Sequence, residues 1–306
     1  MIKKIGLWTV ILVLIGLFFT FRLNKVPKGL TVDEAAFGYN AVLLSETYHD
    51  ENGRFMPFFV LSIDGKDWRQ PVTQYFMALF FKLFGASKFK ARLTSVIIVL
   101  ISLVIIFYLT KQVFDQKTAV WAGFIFLTIP IIMIHAHMAL DNVMPIPFVL
   151  GWLWALFKAK KFNDQRYLIL GGVSLGIGFY TYKGMRAIVP VWCIITGIYF
   201  FANRFQEIKK LEFKSLLTDI FYFSLGIGPF FLVIPLLQKK YAGAVFDSQS
   251  PHIGNFYNLV YPYLASFDFS FLFVKGDQLI NHSTHRHGMF LLASLPLFLT
   301  GIYSIV

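Results

Sequence analysis

Long apolar stretches alternate with short charged ones along the chain. The apolar stretches lie near 5–23, 93–110, 118–137, 142–157, 167–182, 187–202, 217–238 and 288–306. A helix rises about 1.5 Å per residue and the hydrocarbon core of a bilayer is about 30 Å thick, so roughly 20 apolar residues make one crossing. The pattern predicts an all-α, polytopic transmembrane helix bundle. Pro130, Pro145, Pro147, Pro229 and Pro235 interrupt several stretches, which membrane helices tolerate where neighbours satisfy the freed backbone groups. The run at 71–85, PVTQYFMALFFKLFG, carries Lys82 and as a helix reaches only about 22 Å. It is predicted to lie in the interface, with other amphipathic interfacial helices in AAFGYNAVLL and RFMPFFVL of the first loop.

Charge placement gives an orientation. If 71–85 does not cross, the N-terminus and the loops 111–117, 158–166 and 203–214 share one side, with twelve basic residues against four acidic ones. Basic residues concentrate on the cytoplasmic side, so the N-terminus is expected there. Residues 1–23 are expected to be an uncleaved anchor helix, because Arg22, Lys25 and Lys28 follow in place of a small-residue cleavage site. The segments left on the outer face, 24–92 and 239–287, then hold Asp33, Glu34 and Arg69. Asp141, Lys183, Arg186, His135 and His137 come to the same face.

Composition narrows the class. The 306 residues are 57% hydrophobic and only 14% charged, with a mean hydropathy of +0.65, too few charges to cover a soluble globule of this length. The net charge of +12 is accounted for by orientation in the membrane, and no nucleic-acid partner is expected. Cys193 is the only cysteine, which excludes an intramolecular disulfide and a cysteine metal cluster. No phosphate loop, dinucleotide fingerprint or nucleophile elbow is present. Gly171, Gly172, Gly176 and Gly178 fall in an apolar stretch, where close helix packing is the ordinary explanation.

The candidate chemistry begins with Asp33 and Glu34, an acidic pair about ten residues beyond the first apolar stretch. Ionised groups beside a membrane carry a desolvation cost unless they face water, a partner or a ligand. Asp50, Glu51, Asn52 and Gly53 read as a solvated turn. Asp141 precedes an apolar stretch, where a helix-capping role competes with a catalytic one. His282, His285 and His287 offer a weak divalent-metal pattern without a carboxylate at ligand spacing, so a cation is possible and none is required.

The runs GLTVDEAAFGYNAVLLSETYHDENGRFMPFFV, DGKDWRQPVTQYFMALFFKLFGASKFKARLTSV, GIGFYTYKGMRAIVP and FLFVKGDQLINHSTHRHGMF together resemble the polytopic GT-C glycosyltransferases. Within these the likeness is to bacterial relatives of protein O-mannosyltransferases and lipid A aminoarabinose transferases. It spans nearly the whole chain. Members usually run further, so residues 1–306 are expected to be one GT-C-like membrane domain that is incomplete at its C-terminus. The resemblance implies a bacterial plasma-membrane enzyme moving a sugar from a polyprenyl-phosphate carrier to a hydroxyl-bearing protein, lipid or glycan acceptor at the outer face, with inversion. It implies Asp33 as general base, Glu34 and Asp141 as further catalytic carboxylates, and Arg69, Lys183 and Arg186 as phosphate binders. His282, His285 and Arg286 are expected to hydrogen-bond phosphate or sugar. A membrane transporter or lipid flippase is the alternative, distinguished by midplane charges and repeated halves, neither of which is visible in the sequence.

Overall fold

The computed structural model describes residues 2–65, 67–205, 209, 213–246, 256–279 and 282–304. Its elements are overwhelmingly helical. The first, α1 (Ile2–Thr20), is followed by α2 (Val32–Thr47), the strands β1 (Val60–Ser62) and β2 (Asp67–Arg69), α3 (Pro71–Phe84) and α4 (Lys88–Val113). Next come α5 (Gln116–Thr128), α6 (Pro130–Ala136), α7 (Ile146–Phe162), α8 (Arg166–Phe179) and α9 (Met185–Asn203). The remaining α-helices are α10 (Lys214–Leu232), α11 (Ile234–Lys240), α12 (Phe256–Ala265) and α13 (Leu295–Tyr303).

Fewer helices reach spanning length than the apolar stretches predict. Among the described residues, Lys88–Val113, Met185–Asn203 and the combined Lys214–Lys240 are long and apolar enough to cross a membrane. A fourth span arises if α5 and α6 count together, across a 64° bend where Pro130 starts α6. The stretch 142–157 is shifted: helix begins only at Ile146 and runs on through Lys158, Lys160 and Lys161, which the hydropathy pattern assigns to a loop. The stretch 167–182 forms a 14-residue helix, about 21 Å long, and among the described residues 288–304 only Leu295–Tyr303 is α-helical.

Two segments of the first loop are helical. α2 begins with a reciprocal cap: Thr31 Oγ1 accepts from the Glu34 amide at 3.2 Å, and Glu34 Oε2 accepts from the Thr31 amide at 3.0 Å. α3 is a short helix with Pro71 at its start, where a missing N–H costs nothing. RFMPFFVL, however, is not helical. It is irregular, with Met56 at positive φ, and its last two residues open β1, which pairs antiparallel with β2 in the register Val60↔Arg69, Leu61↔Trp68, Ser62↔Asp67. The turn at Asp50 is present and exposes Asn52 and Gly53 at its tip, but Asp50 itself is not solvated. Asp50 is 3% exposed, and its Oδ1 accepts from the amides of Asn52 and Arg54 at 3.0 and 2.9 Å.

The helices run back and forth, so alternate links meet at one end. Ser95 near the start of α4 donates to Met138 O in the α6–α7 link at 2.7 Å. Thr73 of α3 donates to Thr181 O in the α8–α9 link at 3.0 Å. The Trp68 indole of β2 donates to Ala242 O beyond α11 at 3.2 Å. At the opposite end the α7–α8 link, the end of α9 and the start of α10 line a shared cavity of about 140 Å³ with Lys160, Asn163, Arg204 and Asp219. The glycines of α8 explain the closest helix contact. A Cβ on Gly172 would lie 2.7 Å from the Ile227 amide nitrogen, and one on Gly226 would strike the Ile169 carbonyl. Leu168, Leu175, Phe179, Phe223 and Ile227 pack around that seam as the largest buried cluster.

Candidate active site

A helix start, a strand end and two links deliver the charged residues. Asp33 lies in the first turn of α2, Arg69 ends β2, Asp141 lies in the α6–α7 link and Lys183 in the α8–α9 link. Arg69 is the hub and is 6% exposed. Its Nη2 donates to Asp33 Oδ1 at 2.8 Å and its Nε to Ser62 Oγ at 2.9 Å. Its Nη1 lies 3.3 Å from Asp67 Oδ2. The guanidinium also sits over the Phe37 ring, 4.7 Å from its centroid. Asp67 in turn pairs with Lys183 through its other oxygen, Oδ1. The Asp33 side chain remains 50% exposed, so the acidic end of this chain of ion pairs is open to an incoming molecule.

Asp141 belongs to the same electrostatic neighbourhood. Burial pushes its carboxyl up to about 7; the Arg69 cation opposes the shift, and the Asp33 and Asp67 carboxylates add to it. It does not cap a helix: α7 starts at Ile146 with Pro145 before it and no side-chain cap.

Glu34 points elsewhere. Its side chain is wholly buried against that of Arg92, with Arg92 Nε donating to Oε1 at 2.8 Å and Nη2 to Oε2 at 3.2 Å. Oε1 also accepts from the Ala139 amide at 2.9 Å, and Oε2 from Thr31. Arg92 spends its remaining donors on the carbonyls of Leu23, Pro27 and Gly29 at 3.0, 2.8 and 2.6 Å. Both carboxylate oxygens of Glu34 are thus committed to holding α2, α4, the chain after α1 and the α6–α7 link together.

Arg186 stands beside the cluster, not within it. Its Nη2 donates to the buried Gln70 Oε1 at 2.7 Å and its Nη1 to Val245 O at 3.0 Å. The histidine-rich segment forms a separate group. His282 Nδ1 lies 3.3 Å from Asp277 Oδ2, and its ring packs edge-on against the buried His135, 5.2 Å between centroids. The His285 amide donates to Ser283 Oγ at 3.0 Å, and Arg286 is exposed. No ion pair or hydrogen bond among the described residues joins His282, His285 or Arg286 to Asp33, Arg69, Asp141 or Lys183. Nor does any group of three or more His, Cys, Asp or Glu among them form a metal-binding set.

Sequence reasoning missed Asp67, Arg92 and Gln70. Asp67 stands two residues before Arg69, so in a strand the two share a face, a signal that becomes readable only once DWR is seen as a strand. Arg92 enters a long apolar helix, and a charge there calls for a partner.

Comparison with known proteins bears on the family and the fold. A profile described as dolichyl-phosphate-mannose-protein mannosyltransferase matches residues 69–228. An undecaprenyl phosphate-alpha-4-amino-4-deoxy-L-arabinose arabinosyl transferase from Wigglesworthia glossinidia brevipalpis is 28% identical over 202 residues, covering 58% of this chain and 36% of that protein. An uncharacterized Aquifex aeolicus protein is 25% identical over 166 residues, 54% of this chain and 36% of its own. The crystal structure of ArnT from Cupriavidus metallidurans in the apo state shares the fold with a TM-score of 0.56 at 13% identity, over 81% of this chain and 45% of that one. The same enzyme bound to undecaprenyl phosphate gives 0.52 at 14% identity, over 85% and 50%. The chain therefore spans about a third of the length of those relatives and about half of the solved chains. With more than half of its residues inside the matched region, and with its helices arranged as in ArnT, the chain belongs to the dolichyl-phosphate-mannose-protein mannosyltransferase family, whose members are GT-C-type membrane glycosyltransferases.

Proposed function

We propose that this chain carries the catalytic end of a glycosyltransferase that moves a sugar from a polyprenyl-phosphate carrier to a hydroxyl acceptor. The observation that carries the reading is the linked set Asp33, Arg69, Asp67 and Lys183, an exposed carboxylate joined through a buried guanidinium to a second cation. Asp33 accepts the acceptor's hydroxyl proton as that oxygen attacks the anomeric carbon. The anomeric carbon–oxygen bond to phosphate breaks, and the carrier phosphate departs with the electron pair. Arg69 and Lys183 take up its growing negative charge. A single displacement of this kind inverts the anomeric carbon. Asp141, holding its proton up to about pH 7, is assigned the donation of a hydrogen bond to donor or acceptor. Glu34 acts as a positioning residue, because it ties the helix bearing Asp33 to the link bearing Asp141. Arg186 secures Gln70 behind Arg69, while His282, His285 and Arg286 are assigned to sugar or phosphate contacts at the rim.

Orientation follows from charge. The basic links at 111–117, 158–166 and 203–214 face the cytoplasm, and the Asp33 end faces outward. The name of the Wigglesworthia relative and the ligand of the Cupriavidus structure favour undecaprenyl phosphate as the carrier. The test is incubation of the purified chain in bilayer discs with a panel of undecaprenyl-phosphate sugars and hydroxyl acceptors, read by mass spectrometry. A glycosylated acceptor and free undecaprenyl phosphate are expected. Carrier movement between leaflets without either product would replace the enzyme by a flippase.

A further inference from the structure

We propose that Asp67 is a placeholder for the donor's phosphate: its carboxylate occupies the position between Arg69 and Lys183 that the phosphate takes, and binding exchanges one anion for the other. The inference rests on the functional reading above and assigns to this chain a residue that limits how tightly its own site holds phosphate.

The assignment of donors around Arg69 carries it. Nε is fixed by Ser62 and Nη2 by Asp33, so two corners of the guanidinium are held by residues that need not move. Asp67 holds only the third corner, Nη1, through Oδ2, and gives its other oxygen to the Lys183 ammonium. One anion thus bridges two cations, each of which has hydrogens suited equally to a carboxylate or a phosphate. When Asp67 withdraws, Arg69 stays aimed, and Nη1 and Nζ are left side by side.

Position in the hairpin lets Asp67 withdraw alone. It is the outermost residue of β2, opposite Ser62, whereas Arg69 lies at the far end of the three-pair ladder opposite Val60. The turn beyond Ser62 runs through Ile63, Asp64 and Gly65, all at positive φ. Releasing the Asp67 side chain leaves the Val60↔Arg69 and Leu61↔Trp68 pairs intact.

Electrostatics supplies the reason for such a residue. Without an anion, Arg69 and Lys183 would repel across the site; Asp67 keeps them together before the donor arrives. After transfer the carrier phosphate has gained negative charge and would be held more firmly than the donor. A carboxylate ready to return competes with it and favours release.

The experiment compares undecaprenyl phosphate binding to the full chain in bilayer discs for wild type, Asp67→Asn, Asp67→Glu and the neighbouring turn variant Asp64→Asn. A charge-assisted contact that competes with ligand is expected to reduce affinity about fivefold or more. Asp67→Asn should therefore tighten binding by at least that factor, Asp67→Glu should stay near wild type, and Asp64→Asn should move it less than about twofold. Unchanged or weaker binding by Asp67→Asn, with wild type binding normally and both proteins melting alike, overturns the proposal and leaves the functional reading standing. Equal tightening by Asp64→Asn also overturns it, since general charge would then be the cause. Failure of every form, wild type included, to bind undecaprenyl phosphate removes the functional reading itself.

Discussion

Glu34 and Arg92, 58 residues apart in the chain, meet side by side with both side chains completely buried. Removing one partner of a buried ion pair leaves an uncompensated charge and costs about 3–5 kcal/mol. Arg92→Leu is expected to lower the melting temperature in detergent far more than the double variant Glu34→Leu/Arg92→Leu. A single variant that melts like wild type would remove the pair from the framework.

Asp33→Asn keeps the shape of the side chain and removes its capacity to take a proton. General-base catalysis contributes about 10²–10⁴-fold, so turnover should fall by that order while undecaprenyl phosphate binding persists. Single-turnover rates alongside binding isotherms check both halves. Retained turnover would transfer the base role away from Asp33.

For Asp141 the sign of the pH effect is set by its raised value of about 7. Between the ordinary carboxylate range and about 7 the folded protein keeps a proton that the unfolded chain releases. The contribution to stability is complete below that window and declines as pH rises through it. Wild type should therefore lose melting temperature from pH 5 to 8 relative to Asp141→Asn, in which this dependence is absent. Parallel melting curves against pH for the two proteins would contradict the assignment.

Gly226→Ala places a methyl group against the Ile169 carbonyl of α8. Backbone cannot yield as a flexible side chain does, and overpacking of this kind costs about 1–3 kcal/mol. A lower melting temperature is expected, whereas Gly228→Ala, with nothing within 4 Å of its added atom, should have little effect.

Hydropathy made the helical bundle legible, and the charge pattern anticipated that Asp33, Arg69, Asp141 and Lys183 would gather at one end, because helix direction alternates whatever the packing. It did not reveal which charges satisfy one another. Glu34 and Asp33 are adjacent in sequence and equally acidic, yet a helix turns successive residues about 100° apart. One consequently faces Arg92 in the interior and the other the open site. Helix lengths were blurred for a related reason. Asn142–Pro145 and Tyr180–Tyr182 fall inside the apolar stretches that pass for membrane helix, but they belong to the links that carry Asp141 and Lys183.

A centre stitched from residues 33, 69, 141 and 183 does not exist while the chain is still emerging from the ribosome. The first three can be in the membrane before Lys183 arrives, and only insertion of α8 and the turn after it completes the cation pair at Asp67. Nascent fragments that stop short of that point are expected to lack the bridged cation pair, so the charged centre can form only once the chain through Lys183 is in place.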